Sequence, residues 1–152
     1  MFVALLSIIF IMIDQFSKFL VVKYLYDGLN LTVIDNFMWF IYTENTGAAF
    51  GILKDARVFF TIITIVSLLL IFIFLIKYYD IMSTLAKLAS ALVIGGIIGN
   101  FIDRIRLGYV VDFISTNIFG YSFAVFNFAD AFIVCGCILA FLYSIYYERK
   151  GN

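Results

Sequence analysis

With 152 residues, the chain has room for one compact domain or a handful of membrane spans. It is 65% hydrophobic and 20% aromatic but only 13% charged, with no proline and no histidine, which excludes an ordinary soluble domain of this size. Ten acidic residues cancel ten basic ones, so no basic field exists to hold nucleic acid, and the lack of histidine removes Ser-His and Cys-His nucleophile pairs.

The expected architecture is all-α and membrane-integral. Four transmembrane helices lie at about 2–25, 58–77, 84–105 and 127–147, in one domain covering 1–152. The first segment is apolar to about Val22 apart from Asp14, Gln15 and Lys18. It lacks the basic start and small-residue cleavage site of a secretory signal, so it reads as a retained helix. The 32 residues from Tyr26 to Arg57 are too many for a bare connection. Within them, Leu31-Thr-Val-Ile and Phe37-Met-Trp-Phe-Ile-Tyr are β-prone runs separated by Asp35-Asn36, which predicts a small sheet at the membrane surface with Trp39 at headgroup depth. Gly28, Gly47 and Gly51 would let this segment act as a lid, although a static platform is equally consistent with it.

Val58 to Ile76 is a run of 19 residues without a charge, long enough to cross a hydrocarbon core of about 30 Å. Leu88–Ile102 and Ala131–Tyr147 are two further uncharged runs, joined by a loop at about 106–126. Four spans place both termini on one face and the first and last loops on the other. Charge bias does not orient them. Lys77, Lys87, Arg149 and Lys150 lie on the terminal face, against Lys23, Lys54, Arg57, Arg104 and Arg106 opposite. Cys135 and Cys137 have no companion ligands and read as small buried residues of the fourth span.

A charge at span level costs about 2.5–3.5 kcal/mol on insertion scales, so each needs a partner or a task. Asp14 and Lys18, four apart, share a helix face and can pair. Asn100, Asp103 and Arg104 form a polar stripe near the end of the third helix, and Asn127 and Asp130 repeat the i, i+3 pattern at the start of the fourth. Asp112 lies in the loop between, 18 residues before Asp130. These groups fall at one membrane face, so the two aspartates can approach each other. Two close carboxylates in a partly dehydrated site share a proton, which equips them to activate water and polarise a carbonyl. Ion and proton pathways use intramembrane carboxylates too, so a small transporter or relay protein is the alternative reading. It would spread its acids across membrane depth, and no internal repeat supports it.

Five segments sharpen the choice: Asp14-Gln-Phe-Ser-Lys18, Asn45-Thr-Gly-Ala-Ala-Phe50, Gly95-Gly-Ile-Ile-Gly-Asn-Phe-Ile-Asp-Arg104, Val110-Val-Asp-Phe113 and Phe126-Asn-Phe-Ala-Asp130. In this order and spacing they resemble the motif set of lipoprotein signal peptidase, the signal peptidase II family. The resemblance covers essentially the whole chain. It implies a bacterial inner-membrane aspartic peptidase, with cytoplasmic termini and a site near the outer face. Such an enzyme removes signal peptides from prolipoproteins by cutting before a diacylglyceryl-modified cysteine. By motif position, Asp112 and Asp130 would be the catalytic dyad. Asn45, Asn100, Arg104 and Asn127 would line the site and hold substrate, and Asp14, Lys18 and Asp103 would support it. Gly47 and Gly96 match positions where backbone or substrate comes close. Ala124 departs from the family, which usually has proline there. The residues offer no ligand set for a metal and call for no cofactor, membrane lipids are the expected surroundings, and nothing in the fold requires a partner subunit, so a monomer is expected; the resemblance further implies inhibition by globomycin-type cyclic lipopeptides.

Overall fold

The computed structural model describes residues 1–47 and 56–150. Ala48, Ala49 and Phe50 of the second motif, Gly51, Lys54 and the side chains of Arg149 and Lys150 lie outside the described residues. Four helices are long and apolar enough to cross a membrane: α1 (Phe2–Leu25), α2 (Arg57–Tyr78, continued by a 3-10 turn at Tyr79–Ile81), α3 (Thr84–Arg106) and α4 (Phe128–Lys150). Each forms where the sequence offers an apolar run of span length. Ser83 starts α3 by accepting a hydrogen bond from the Ala86 amide at 3.1 Å, which satisfies one of the unpaired N–H groups of the first turn.

Packing of these helices does not follow their hydropathy. The most apolar helix, α2, buries only Thr64 and leans mainly on α3. The least apolar, α3, touches all three others and buries Ala89, Ala91, Gly95, Gly96, Gly99, Asn100 and Asp103. Lipid is as apolar as a leucine side chain, so helices in a bilayer associate through close contact of small residues rather than through hydrophobicity. A Cβ on Gly95 would stand 2.6 Å from that of Phe10 in α1, and one on Gly96 would run into the Ala129 carbonyl of α4.

Between the helices lies one four-stranded antiparallel sheet, ordered β1 (Leu31–Ile34), β2 (Met38–Asn45), β3 (Val110–Ile118), β4 (Tyr121–Ser122). The β1–β2 hairpin falls on the two β-prone runs, and its turn uses Asn36 at a φ of 58°. The stretch expected to be a loop at 106–126 instead supplies the other half of the sheet. Gly108, at a φ of +90°, turns the chain from α3 into β3. A core of Val21, Val111, Phe113 and Ile114 fixes the sheet against the end of α1. Phe113 meets Phe40 and Phe128 edge-on, with ring centroids 5.7 and 5.4 Å away. Since strand side chains alternate, the packing of Val111 and Phe113 turns Val110 and Asp112 toward the opposite side.

Cys135 and Cys137 are both exposed rather than buried. Gly136 between them takes the helix contact, where a Cβ would lie 2.8 Å from the Ala89 carbonyl oxygen. A cysteine facing lipid and one facing a neighbouring helix are equally apolar, so composition could not tell the two apart.

Candidate active site

Asp112 and Asp130 come from different elements and line the same cavity of about 530 Å³, together with Asn45, Gly47, Asn100 and Arg104. Backbone hydrogen bonds fix their relation. The amides of Phe113 and Ile114 donate to the Phe126 carbonyl at 3.0 and 2.7 Å, and the Phe126 amide returns a bond to Ile114 O at 3.1 Å. The strand carrying Asp112 is thereby tied to the residues that lead into α4, four positions before Asp130.

The start of α4 is a capping box. Asn127 Oδ1 accepts from the Asp130 amide at 3.0 Å, and Asp130 Oδ2 accepts from the Asn127 amide at 3.2 Å. That bond fixes which end of the Asn127 side chain is oxygen, so its Nδ2 must point the other way. It donates to Asp112 Oδ1 at 2.6 Å and Asn100 Oδ1 at 3.1 Å. One asparagine therefore holds both carboxylates. It is fully buried, and both its amide hydrogens are used. Asn127 was expected to line the site and hold substrate; it lies behind the carboxylates and has no donor left to offer.

Two other asparagines complete the setting. Asn45, at the end of β2, accepts the Gly47 amide on Oδ1 at 2.9 Å and donates Nδ2 to Asp112 Oδ2 at 2.8 Å. Its turn geometry thus orients the donor. Asn100 accepts from Lys18 Nζ at 2.9 Å and donates Nδ2 to Asp130 Oδ1 at 2.7 Å. Asp112 is buried, and loss of water together with the charge of Asp130 pushes its carboxyl up to about 6, with Asn45, Asn127 and Lys18 pulling the other way. Arg104 lies at the cavity wall with its guanidinium 4.9 Å from the centre of the Phe60 ring, close enough to Asp130, Asp112 and Asp103 to feel their charge.

Behind the cavity sits a second charged group. Lys18 Nζ lies 2.9 Å from Asp14 Oδ2 and 2.8 Å from Asp103 Oδ2, so its three hydrogens are met by these two carboxylates and Asn100. The expected Asp14–Lys18 pair is present, and Asp103 joins it. Gln15 Nε2 spans Asp14, the Gly99 carbonyl and Asp103 at 3.2, 3.1 and 3.0 Å. Asp14 Oδ1 also accepts the Ala129 amide of the first turn of α4 at 2.9 Å, where a helix favours negative charge. Asp103 Oδ2 accepts the Val111 amide next to Asp112 at 3.2 Å. The cluster thus fixes the residues adjoining both cavity carboxylates.

Gln15 and Gly99 were not among the expected site residues. A Cβ on Gly99 would stand 2.5 Å from Asp14 Oδ2, so a larger residue there would have to displace that carboxylate. The signals were present as a glutamine beside the span-level aspartate and the small-residue spacing of Gly95 and Gly99. At Gly96 it is the backbone of α4 that comes close, through the Ala129 carbonyl. Among the described residues, no group of three or more Cys, Asp or Glu is placed to hold a metal ion.

Comparison with known proteins identifies the family and the fold. Residues 6–146 match the family model described as signal peptidase (SPase) II. The chain is 45% identical over 129 residues to the lipoprotein signal peptidase of Caldanaerobacter subterraneus subsp. tengcongensis, covering 85% of this chain and 86% of that protein. It is 42% identical over 149 residues to the lipoprotein signal peptidase of Anoxybacillus flavithermus, covering 97% and 88%. Two solved bacterial membrane enzymes, determined by the in meso method at 2.3 and 1.9 Å resolution, share the fold. The first has a TM-score of 0.85 at 35% identity over 99% of this chain and 91% of that one, and the second 0.81 at 39% over 92% and 90%.

Proposed function

The chain belongs to the signal peptidase II family and is a multi-pass membrane protease, and from that premise we propose an aspartic mechanism acting on lipid-modified substrates. The enzyme removes the signal peptide from diacylglyceryl-modified prolipoproteins, cutting before the modified cysteine with water activated between Asp112 and Asp130. It works as a single domain and a monomer, with its termini in the cytoplasm and its cavity toward the outer face. Globomycin-type cyclic lipopeptides compete for that cavity.

One observation carries this reading: two carboxylates from separate elements face one cavity, each held by oriented amide donors, while Asp14 and Asp103 beside them are consumed by Lys18. Asp112, raised by burial and by its neighbour, holds the shared proton. Asp130, with two donors and the N-terminus of α4 behind it, takes the part of the base. Asp130 takes a proton from water as the oxygen attacks the scissile carbonyl, and Asp112 gives its proton to the carbonyl oxygen. Collapse breaks the C–N bond and passes a proton to the leaving nitrogen, and the pair again holds one proton. Asn45 and Arg104, at the cavity wall, are placed to hold the extended backbone of the substrate.

A gel-shift cleavage assay in detergent micelles tests the proposal, using a prolipoprotein with and without its diacylglyceryl group. Cleavage of the lipidated form alone is expected. Cleavage of both forms would remove the lipid from the specificity, and cleavage of neither by folded protein would favour a relay function.

A further inference from the structure

Arg104 stands in the wall of the catalytic cavity, and among the described residues it has no acidic partner. Both ion pairs there belong to Lys18, and none of the five N–H donors of Arg104 is taken by a hydrogen bond. Asp130, Asp112 and Asp103 are near enough for their charge to be felt, yet none closes onto the guanidinium. In a partly dehydrated site that attraction is strong, so something must hold the head back. The contact it does make is with the ring of Phe60, whose centre lies 4.9 Å away. Phe60 is not among the described residues that line the cavity, so it meets Arg104 and not the substrate.

The seat of that ring is built by α2. Arg57, Phe60 and Thr64 fall at i, i+3 and i+7 and share the helix face that meets α3. Arg57 Nη2 donates to the Ile105 carbonyl in the last turn of α3 at 3.0 Å, where a cation suits the helix dipole. Thr64, two turns further, is buried. Between these two ties Phe60 is half-buried, while Val58 and Phe59 beside it are exposed. Lipid receives a phenylalanine as readily as a protein surface does, so hydrophobicity does not account for the place of this ring. Attraction between the ring face and a cation does.

We propose that Phe60 is a positioning residue of the reaction: its ring holds the Arg104 guanidinium off Asp112 and Asp130 and keeps its donors free for the substrate backbone. The role rests on the peptidase reading above. Without the ring the guanidinium closes on the aspartates, and two effects follow. Its donors are lost to the substrate, which raises KM. Asp112 also gains a nearer positive charge, which favours its ionised form. The charged groups around Asp112 are Asp130 of α4, Arg104 of α3 and Lys18 of α1, with Asp103 behind the neighbouring Val111 amide.

Phe60→Leu should raise KM for lipidated prolipoprotein about fivefold and move the falling limb of kcat/KM to lower pH. Below that limb, kcat per folded molecule should stay within about twofold of wild type, since the acids themselves are untouched. Phe60→Trp, which offers the ring that binds cations best, should recover both KM and the limb. A fall in kcat alone, an unmoved limb, or a Phe60→Trp enzyme as impaired as Phe60→Leu would overturn the proposal. A second measurement reads the contact without turnover. Trp39 is the only tryptophan, so Trp39→Phe with Phe60→Trp leaves a single emitter at position 60. Its emission should change on adding Arg104→Gln and stay as it was on adding Arg106→Gln. No change with the first, or an equal change with both, would overturn the contact. A wild type that cleaves neither form of the prolipoprotein would sink the peptidase reading, and the emission pair would still decide the contact.

Discussion

Lys18 and Asp112 belong to neighbouring polar clusters joined through Asn100, and the two clusters dispose of their charge differently. In the first, two carboxylates and Asn100 surround one ammonium, Gln15 donates to both carboxylates, and Asp14 and Lys18 are closed to solvent. In the second, Asp112 and Asp130 have amide donors behind them but an open cavity of about 530 Å³ in front. A sealed and neutralised cluster can only hold structure. Carboxylates that keep one face toward a cavity, with a proton to share, can do chemistry. Under the proposed mechanism that difference makes Asp14, Lys18 and Asp103 positioning residues, although their residue types match those of the site.

The comparison breaks most visibly on the open side. Asp130→Asn should lower turnover by about three orders of magnitude or more, as loss of a member of a catalytic set does, while the unfolding midpoint in detergent stays near that of wild type. Near-normal turnover would remove Asp130 from the chemistry. On the sealed side, Lys18→Met leaves two buried carboxylates without their cation and should cost about 3–5 kcal/mol of stability, read by chemical unfolding. An unchanged midpoint would mean that the cluster does not hold the bundle. Gly99→Ala pushes a methyl against Asp14 and should cost about 1–3 kcal/mol with little change in turnover per folded molecule.

The smallest effect concerns pH. In the proposed mechanism Asp112 acts as the acid, and its carboxyl is pushed up to about 6, so kcat/KM should fall as pH rises through that value with a one-proton slope. The bond from Asn45 favours the ionised form. Asn45→Ala should therefore move the falling limb to higher pH, and a shift to lower pH would contradict the assigned role of that bond.

The spans were legible because a membrane demands about twenty apolar residues, and the β1–β2 hairpin because Asp35-Asn36 separates two β-prone runs. β3 was not, because Val110-Val-Asp-Phe-Ile is buried on both faces and shows no alternation. The positions of Asp112 and Asp130 at one membrane face followed from where the spans end. That both aspartates would depend on the single side chain of Asn127 did not, since a capping box and its amide orientation exist only once α4 meets β3. The exposure of Cys135 and Cys137 was hidden for a different reason. In a bilayer, apolar character no longer separates inside from outside.

The distinction between the clusters is tested most directly by measuring turnover of lipidated prolipoprotein and unfolding midpoint on the same preparations of Asp112→Asn and Asp103→Ala. The first should lose turnover and keep its midpoint. The second should lose several degrees of midpoint, with turnover falling only in step with the folded fraction. An Asp103→Ala protein that stays folded and dead, beside an Asp112→Asn protein that still cuts, would place the chemistry in the wrong cluster.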